Sequence, residues 1–205
     1  IRDREKAVEH QTNRTRDKAE VFTPSWICNA QNNLVDEQWF GRKDVFNIQK
    51  EMSWKATADK ITFPDDRQHT WQKYVDAQRL EISCGEAPYL VSRYDTVTGE
   101  TIPISQRIGL LDRKLRVVSE NTDTEEEWFT WTKRAFQSVY GFEYQGDSLL
   151  LARENLFVTF VEVYRERFSK LPHLRQMKVI ANIIAWNLWL SLIHISEPTR
   201  LRRIS

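Results

Sequence analysis

The sequence predicts an α/β fold, a parallel sheet made of βαβ units with a mainly helical segment ahead of it. Three observations carry this. Two short strand-like runs, Arg79–Ser83 (RLEIS) and Val139–Tyr144 (VYGFEY), are each followed by turn residues. Amphipathic helices lie between and after them, the longest with Leu149, Ala152, Leu156, Phe160 and Val163 at i, i+3, i+7, i+11 and i+14. Upstream, Trp26, Ile27, Leu34, Val35, Trp39 and Phe40 fit helical spacing better than alternation. Strands separated by long helices pair in parallel, because a crossover of that length returns the chain to the same end of the sheet.

Taken in order, residues 1–20 carry charges of both signs and few apolar side chains, which reads as a solvated helix or flexible lead-in. Residues 21–47 are helical in pattern. Residues 48–70 are mixed and polar, with a turn at Pro64-Asp65-Asp66, and they mark the boundary of an N-terminal segment, 1–75, from a second region, 76–189. There the first strand runs into Cys84-Gly85-Glu86-Ala87-Pro88, a tight turn, and then the apolar run YLVSRY. Asp95–Ile104 is polar, with a turn at Thr98-Gly99. The stretch 95–121 reads as an insertion with a strand-like piece, IGLLDRKLRVV. Thr124-x-x-Glu127 is a capping box, and the helix it starts places Trp128, Trp131 and Ala135 on one face. Gly146-Asp147-Ser148 caps the long helix, and a further apolar helix covers about 174–189.

Composition excludes several classes. With 30 Lys+Arg against 29 Asp+Glu the net charge is +1, so no global polycationic field draws in nucleic acid. Hydrophobic residues at 40% and charged residues at 29% describe a globular chain. Two cysteines, Cys28 and Cys84, can form neither a disulfide framework nor a four-cysteine zinc site. No basic-then-apolar leader follows Ile1, so a reducing, cytoplasmic setting is expected. Val179–Ile195 approaches the length of a membrane span, but Asn182, Asn187 and His194 would each need a polar partner in lipid, so no membrane association is expected.

The C-terminus stands apart. Residues 190–205, LSLIHISEPTRLRRIS, resemble a conceptual translation of the transposon adapter used in shotgun sequencing libraries. On this reading they are a non-native tail and the chain is an N-terminal fragment of a longer gene product. Setting them aside removes three arginines and one glutamate, leaving 27 Lys+Arg against 28 Asp+Glu, so the basic tail is no sign of nucleic-acid binding.

In open parallel sheets, ligands bind beyond the carboxyl ends of the strands. The turn Glu81–Ala87 is placed there, with Gly85 allowing a ligand close to the backbone and Glu143 ending the next strand as an acceptor for two ribose hydroxyls. Spacing alone is equally compatible with a plain structural turn.

Three strings, in order, carry a resemblance: EVFTP at 20–24, RLEISCGEAPYLVSRY at 79–94 and VYGFEYQGDSLLLARENL at 139–156. Over about residues 16–189 they resemble the N6-adenine DNA methyltransferases of restriction–modification systems, closest to a modification or restriction subunit. The resemblance implies a partial Rossmann-like S-adenosylmethionine-dependent methyltransferase domain over 76–189. The cofactor-binding set would be Phe22, Thr23, Pro24, Glu81, Cys84, Gly85 and Glu143. Phe22 would stack on the cofactor's adenine, with Thr23 and Pro24 near its methionine end. Glu81 would orient the turn or bind the methionine ammonium, and Glu143 would hold the ribose. Double-stranded DNA is the implied substrate, met through regions outside this chain, with restriction or specificity subunits as partners. Two features depart from the pattern: Ala87 stands where the family has a second glycine, and 59 residues separate Cys84 from Glu143. The Asp/Asn-Pro-Pro-Tyr/Phe tetrapeptide that such enzymes use to hold a flipped base is absent, since all six prolines are isolated. The fragment is therefore expected to be inactive on DNA, with no catalytic residue.

Plainer readings stand beside these. Phe22 serves equally as a core aromatic, Cys84 as a small buried filler, and Trp128 and Trp131 as helix packing rather than a base-stacking platform. Glu125–Glu127 complement a helix dipole. Arg113, Lys114 and Arg116 either touch phosphate or form a solvated strand face. Two other functions remain open: an inactive cofactor-binding fragment, and a metal-dependent restriction nuclease with Pro64-Asp65 and Asp112-Arg113-Lys114 as its acids and lysine.

Overall fold

The computed structural model describes residues 22–191, so the expectations for residues 1–20 and for 192–205 lie outside the described residues. Helix α1 (Ser25–Phe40) follows Pro24, and the Asp95 carboxylate accepts from the Ser25 N–H at 2.7 Å, an acid placed where the helix dipole favours one. Its buried face is largely polar, with Asn29, Asn32 and Asp36, while Leu34 is exposed. Of the apolar stripe read from the sequence, α1 fully buries only Phe40, while Trp26, Ile27, Val35 and Trp39 are half-buried.

The N-terminal segment is also less helical than expected. Strands β1 (Asn47–Lys50) and β2 (Ser53–Ala56) form an antiparallel hairpin, with Lys50 opposite Ser53. Its tight turn uses Glu51 at φ +48°, with none of the Asn-Gly or Asp-Gly pairs that announce such a turn in a sequence. A short helix, α2 (Trp71–Asp76), follows and is capped by the Thr70 hydroxyl, which accepts from the Lys73 N–H.

Strand β3 (Arg79–Ile82) lies where it was expected. The strand-like stretch after it is instead a helix, α3 (Leu110–Asn121), and most of its residues are buried. Asp112 caps it, accepting from the Gly109 N–H at 3.1 Å and the Ser92 N–H at 2.8 Å. Gly109 is obligatory, because a Cβ there would lie 2.3 Å from the Leu90 carbonyl oxygen. Its basic residues are not a solvated face. Arg113 pairs with Asp36 at 2.5 Å and donates to Asn29 and Asn33, and Tyr74 donates to the other Asp36 oxygen. Lys114 is buried and donates to the Ala77 carbonyl and the Ser138 hydroxyl, and burial pushes its ammonium well below the usual lysine range. A segment of mixed leucine and basic residues reads as a strand only while its charges are assumed to need water.

Helix α4 (Glu125–Gln137) starts at Thr124, whose hydroxyl accepts from the Glu127 N–H. Strand β4 (Val139–Glu143) leads into α5 (Gly146–Phe168), which begins after Gln145 without a side-chain cap and buries Leu149, Ala152, Leu156, Phe160 and Val163 as the periodicity predicts. Helix α6 (Leu174–Asn187) then gives way to a short strand, β5 (Leu188–Leu190). A helix running on to residue 189 was expected. The Asn187 side chain instead donates to the Phe136 and Val139 carbonyls, and the chain turns into the sheet. Leu190 pairs with Glu143, and the Ser191 N–H donates to the Glu143 carbonyl, so the first residues assigned to the tail take part in the fold.

The sheet order is β3-β4-β5, parallel throughout, within a mixed α/β architecture. Helices α4, α5 and α6 pack against β4, on the side of its buried residues Val139 and Gly141. The opposite face carries Leu80, Ile82, Tyr140, Phe142 and Trp189, with Ile82 73% exposed. One continuous core takes in Phe40, Phe46 and Tyr74 as well as Leu115, Phe160 and Leu188. Within it Trp128 is fully buried, donates to Ser119 and packs on Phe160, Tyr164 and Phe168. No helix among the described residues is long and apolar enough to cross a membrane.

Candidate functional site

The site forms where β3 and β4 end side by side. Beyond Ile82 the chain alternates into left-handed backbone at Ser83 (φ +55°), Gly85 (φ +54°) and Ala87 (φ +63°), curling the turn back over the strand ends. The Cys84 N–H donates to the Phe142 carbonyl at 2.9 Å, and the Ala87 N–H to the Cys84 carbonyl at 2.7 Å. The Gly85 N–H donates to Glu143 Oε2 at 2.6 Å, while Glu143 Oε1 accepts from the Tyr144 and Gln145 N–H groups at 2.8 and 2.9 Å. Glu143 is thus the acid that fastens the first turn to the second. A Cβ at Gly85 would meet nothing within 4 Å, so the protein itself requires glycine there for its positive φ rather than for a close approach.

Next to this turn opens a cavity of about 370 Å³, within the range of small-ligand sites. Of the seven residues the sequence singled out, Phe22, Thr23, Glu81, Cys84, Gly85 and Glu143 line it; Pro24 instead starts α1. Residues more than 100 positions apart are thereby brought to one wall. The Phe22-Thr23 arm is held by Thr96, whose hydroxyl donates to the Thr23 carbonyl at 2.8 Å, and Asp95 beside it takes the α1 N-terminus. The polar 95–101 loop, read as an insertion, therefore places the arm.

Sequence reasoning had not singled out Ser83, Glu86, Tyr89, Thr96, Gln145 and Ser148, which also line the cavity. Glu86 was legible as part of the turn. Thr96 carried no local signal, because only the folding-back of its loop brings it to Thr23. Glu86 accepts from the Tyr94 hydroxyl at 2.5 Å, and Asn155 of α5 donates to the Glu86 carbonyl, so the far end of the turn is anchored too.

Among the described residues the lining contains three carboxyl groups, from Glu81, Glu86 and Glu143, and no lysine or arginine. Glu81 is the unusual one. Its Oε1 accepts from the Tyr89 N–H at 3.4 Å, but Oε2 is buried without a hydrogen-bond partner. Burial pushes the carboxyl up to about 8, and the nearby Glu143 adds to the shift. Cys28, from α1, is pushed up to about 12 by burial and by Glu81, and Cys84 is raised above the usual thiol range for the same reasons. Both thiols are protonated and serve as filling, not as nucleophiles.

The nuclease constellation does not assemble. Asp112 is buried and committed to Ser92 and Gly109, Asp65 lies on the exposed surface, and Lys114 is enclosed. Among the described residues no cluster of three His, Cys, Asp or Glu side chains could hold a metal ion. Arg116 pairs with Glu120 and donates to the Thr57 and Asp59 carbonyls rather than facing a phosphate. Trp131 packs edge-on against Trp71, and Glu125, drawn down to about 2 by Lys170 and Tyr164, ties α4 to α5 and the loop after it. Comparison of the chain with protein-family models, with curated proteins and with solved structures finds no match.

Proposed function

We propose that this chain is the cofactor-binding part of an S-adenosylmethionine-dependent methyltransferase acting on adenine N6 in DNA, with a partial Rossmann-like domain as its core. The observation that carries the reading is the acid-lined cavity at the carboxyl ends of two parallel strands, where a left-handed turn meets an acid ending the next strand. Its charge selects among nucleotide ligands. Among the described residues its lining carries carboxyl groups and no cation, which disfavours pyrophosphate and triphosphate and suits a nucleoside bearing positive charge.

The residues fit such a group. Glu81 offers a buried carboxyl oxygen without a hydrogen-bond partner, Phe22 an aromatic side chain in the lining, and Glu143 a carboxylate already oriented by three backbone N–H groups. When bound, the cofactor supplies an electrophilic methyl group on a sulfonium. This chain's own residues bind and orient it. The DNA substrate and the restriction or specificity subunits belong to the same reading and follow from the sequence resemblance.

Equilibrium binding of labelled S-adenosylmethionine to the folded chain tests it. Saturable one-to-one uptake, displaced by S-adenosylhomocysteine but not by ATP or NAD, is expected. Absence of uptake by a cooperatively folded sample, or equal competition by ATP, would overturn the reading.

A further inference from the structure

The turn that carries the cavity wall is held from behind by hydrogen bonds whose direction is fixed. Arg93 lies between this turn and α5. Its Nε and one terminal nitrogen donate to Glu162 at 3.2 and 2.9 Å, and the other terminal nitrogen donates to Asn155 Oδ1 at 3.2 Å. Asn155 and Glu162 stand two turns apart on one face of α5, so a single side chain ties both to the loop. A guanidinium carries donors only, so the Asn155 amide must turn its oxygen to Arg93 and its nitrogen to the wall. Both amide protons are then used, one on the Glu86 carbonyl and one on the Tyr94 oxygen, each at 3.0 Å. The Tyr94 hydroxyl is left to donate to Glu86 Oε2 at 2.5 Å; burial, with Glu86 beside it, raises it above the usual tyrosine range and keeps its proton in place. The Glu86 carbonyl belongs to the peptide that precedes Ala87, whose φ of +63° is a left-handed backbone that alanine adopts only against steric resistance. The Asn155 bond pins that peptide.

We propose that Arg93 is a positioning residue of the cavity: its donors fix the sense of the Asn155 amide, which holds the Glu86 peptide and carboxylate in the wall that receives the ligand. This rests on the reading of the cavity as a nucleoside-cofactor site. Arg93 is not itself in the lining, so it acts through its neighbours. Without a donor at Oδ1 the amide is free to rotate by half a turn. Its oxygen then faces the Glu86 carbonyl, the Tyr94 proton is drawn from Glu86 to Asn155, and the left-handed peptide loses its tether.

The test compares Arg93→Lys with Arg93→Met. The intact chain is titrated calorimetrically with S-adenosylhomocysteine, and amide exchange across residues 85–91 is followed without ligand. Both variants lose the forked pair of bonds to Glu162, so a loss of stability alone is common to both. Lysine still presents only donors to Asn155, whereas methionine fills the space and presents none. Affinity should therefore stay within about 3-fold of the unsubstituted chain for Arg93→Lys and fall about 10-fold for Arg93→Met, the worth of one hydrogen bond of ordinary strength. Exchange at 85–91 should quicken in Arg93→Met and not in Arg93→Lys. Asn155→Asp has the same shape and accepts from Arg93 but cannot donate to Glu86. It should also lose about 10-fold, which keeps the test valid if Arg93→Met folds poorly. Equal losses for the lysine and methionine variants, or an affinity of Arg93→Met within about 2-fold of the unsubstituted chain, overturn this inference alone. If the unsubstituted chain binds no S-adenosylhomocysteine, the nucleoside-site reading falls and the exchange rates decide the positioning role. Faster exchange for methionine than for lysine sustains it, and equal rates overturn it.

Discussion

Replacing Glu143 tests whether the two strand-end turns are built as one unit. Its carboxylate accepts from three backbone N–H groups, those of Gly85, Tyr144 and Gln145, and the side chain is buried. Glu143→Gln keeps the shape but turns one acceptor into a donor. The amide then satisfies either Gly85 or the Tyr144–Gln145 pair, and the group left over faces an N–H. A charge-assisted bond lost in this way costs about 1.5–3 kcal/mol. Glu143→Ala leaves all three donors without the carboxylate, and water reaches Tyr144 and Gln145 more readily than Gly85, so the loss should be about 3–5 kcal/mol. For a domain of this size that corresponds to roughly 4–10 °C in Tm for the glutamine variant and more for alanine. Thermal and urea melts followed by circular dichroism measure it. An alanine variant within about 1 kcal/mol of the unsubstituted protein would refute the clamp. From the sequence, Glu143 was expected only to hold a ribose, a role whose loss would leave the unliganded melt untouched.

Two further outcomes follow from the packing. Asp36→Ala should lose about 3–5 kcal/mol in chemical denaturation, because it strands the buried Arg113 guanidinium without a counter-charge; a loss below about 1 kcal/mol would show that the pair is not buried in solution. The double substitution Leu80→Lys, Ile82→Lys should leave the melt within about 1 kcal/mol while reducing apolar-dye binding and self-association, since both side chains lie on the uncovered sheet face; a loss above about 2 kcal/mol would show that face to be packed.

How much of this was legible in the sequence depended on the range of the forces involved. Strand β3, its turn, the Thr124 cap and the buried positions of α5 are local matters of hydrogen bonding, backbone freedom and period, and they lie where the residues alone placed them. Six of the seven residues singled out for the site line one cavity, because strands that end in register bring their following turns together and Thr96 holds the Phe22-Thr23 arm beside them. The β1–β2 hairpin escaped notice because Glu51 takes a left-handed backbone without a turn signature. Helix α3 was misread because the burial of Arg113 and Lys114 depends on partners far away, Asp36 for one and the Ala77 carbonyl for the other.

The sequence by itself determined the two strands β3 and β4, the period of α5 and the acids at the strand ends, since each is a property of neighbouring residues. Only the tertiary structure decided which of those acids is satisfied. Glu143 is completed by three N–H groups from two turns, whereas Glu81 is enclosed with one oxygen unmatched. A carboxyl group's charge is set by what the fold removes from around it as much as by what it supplies. Water excluded by Tyr89, Cys84 and α1 cannot be read from the letters that surround position 81.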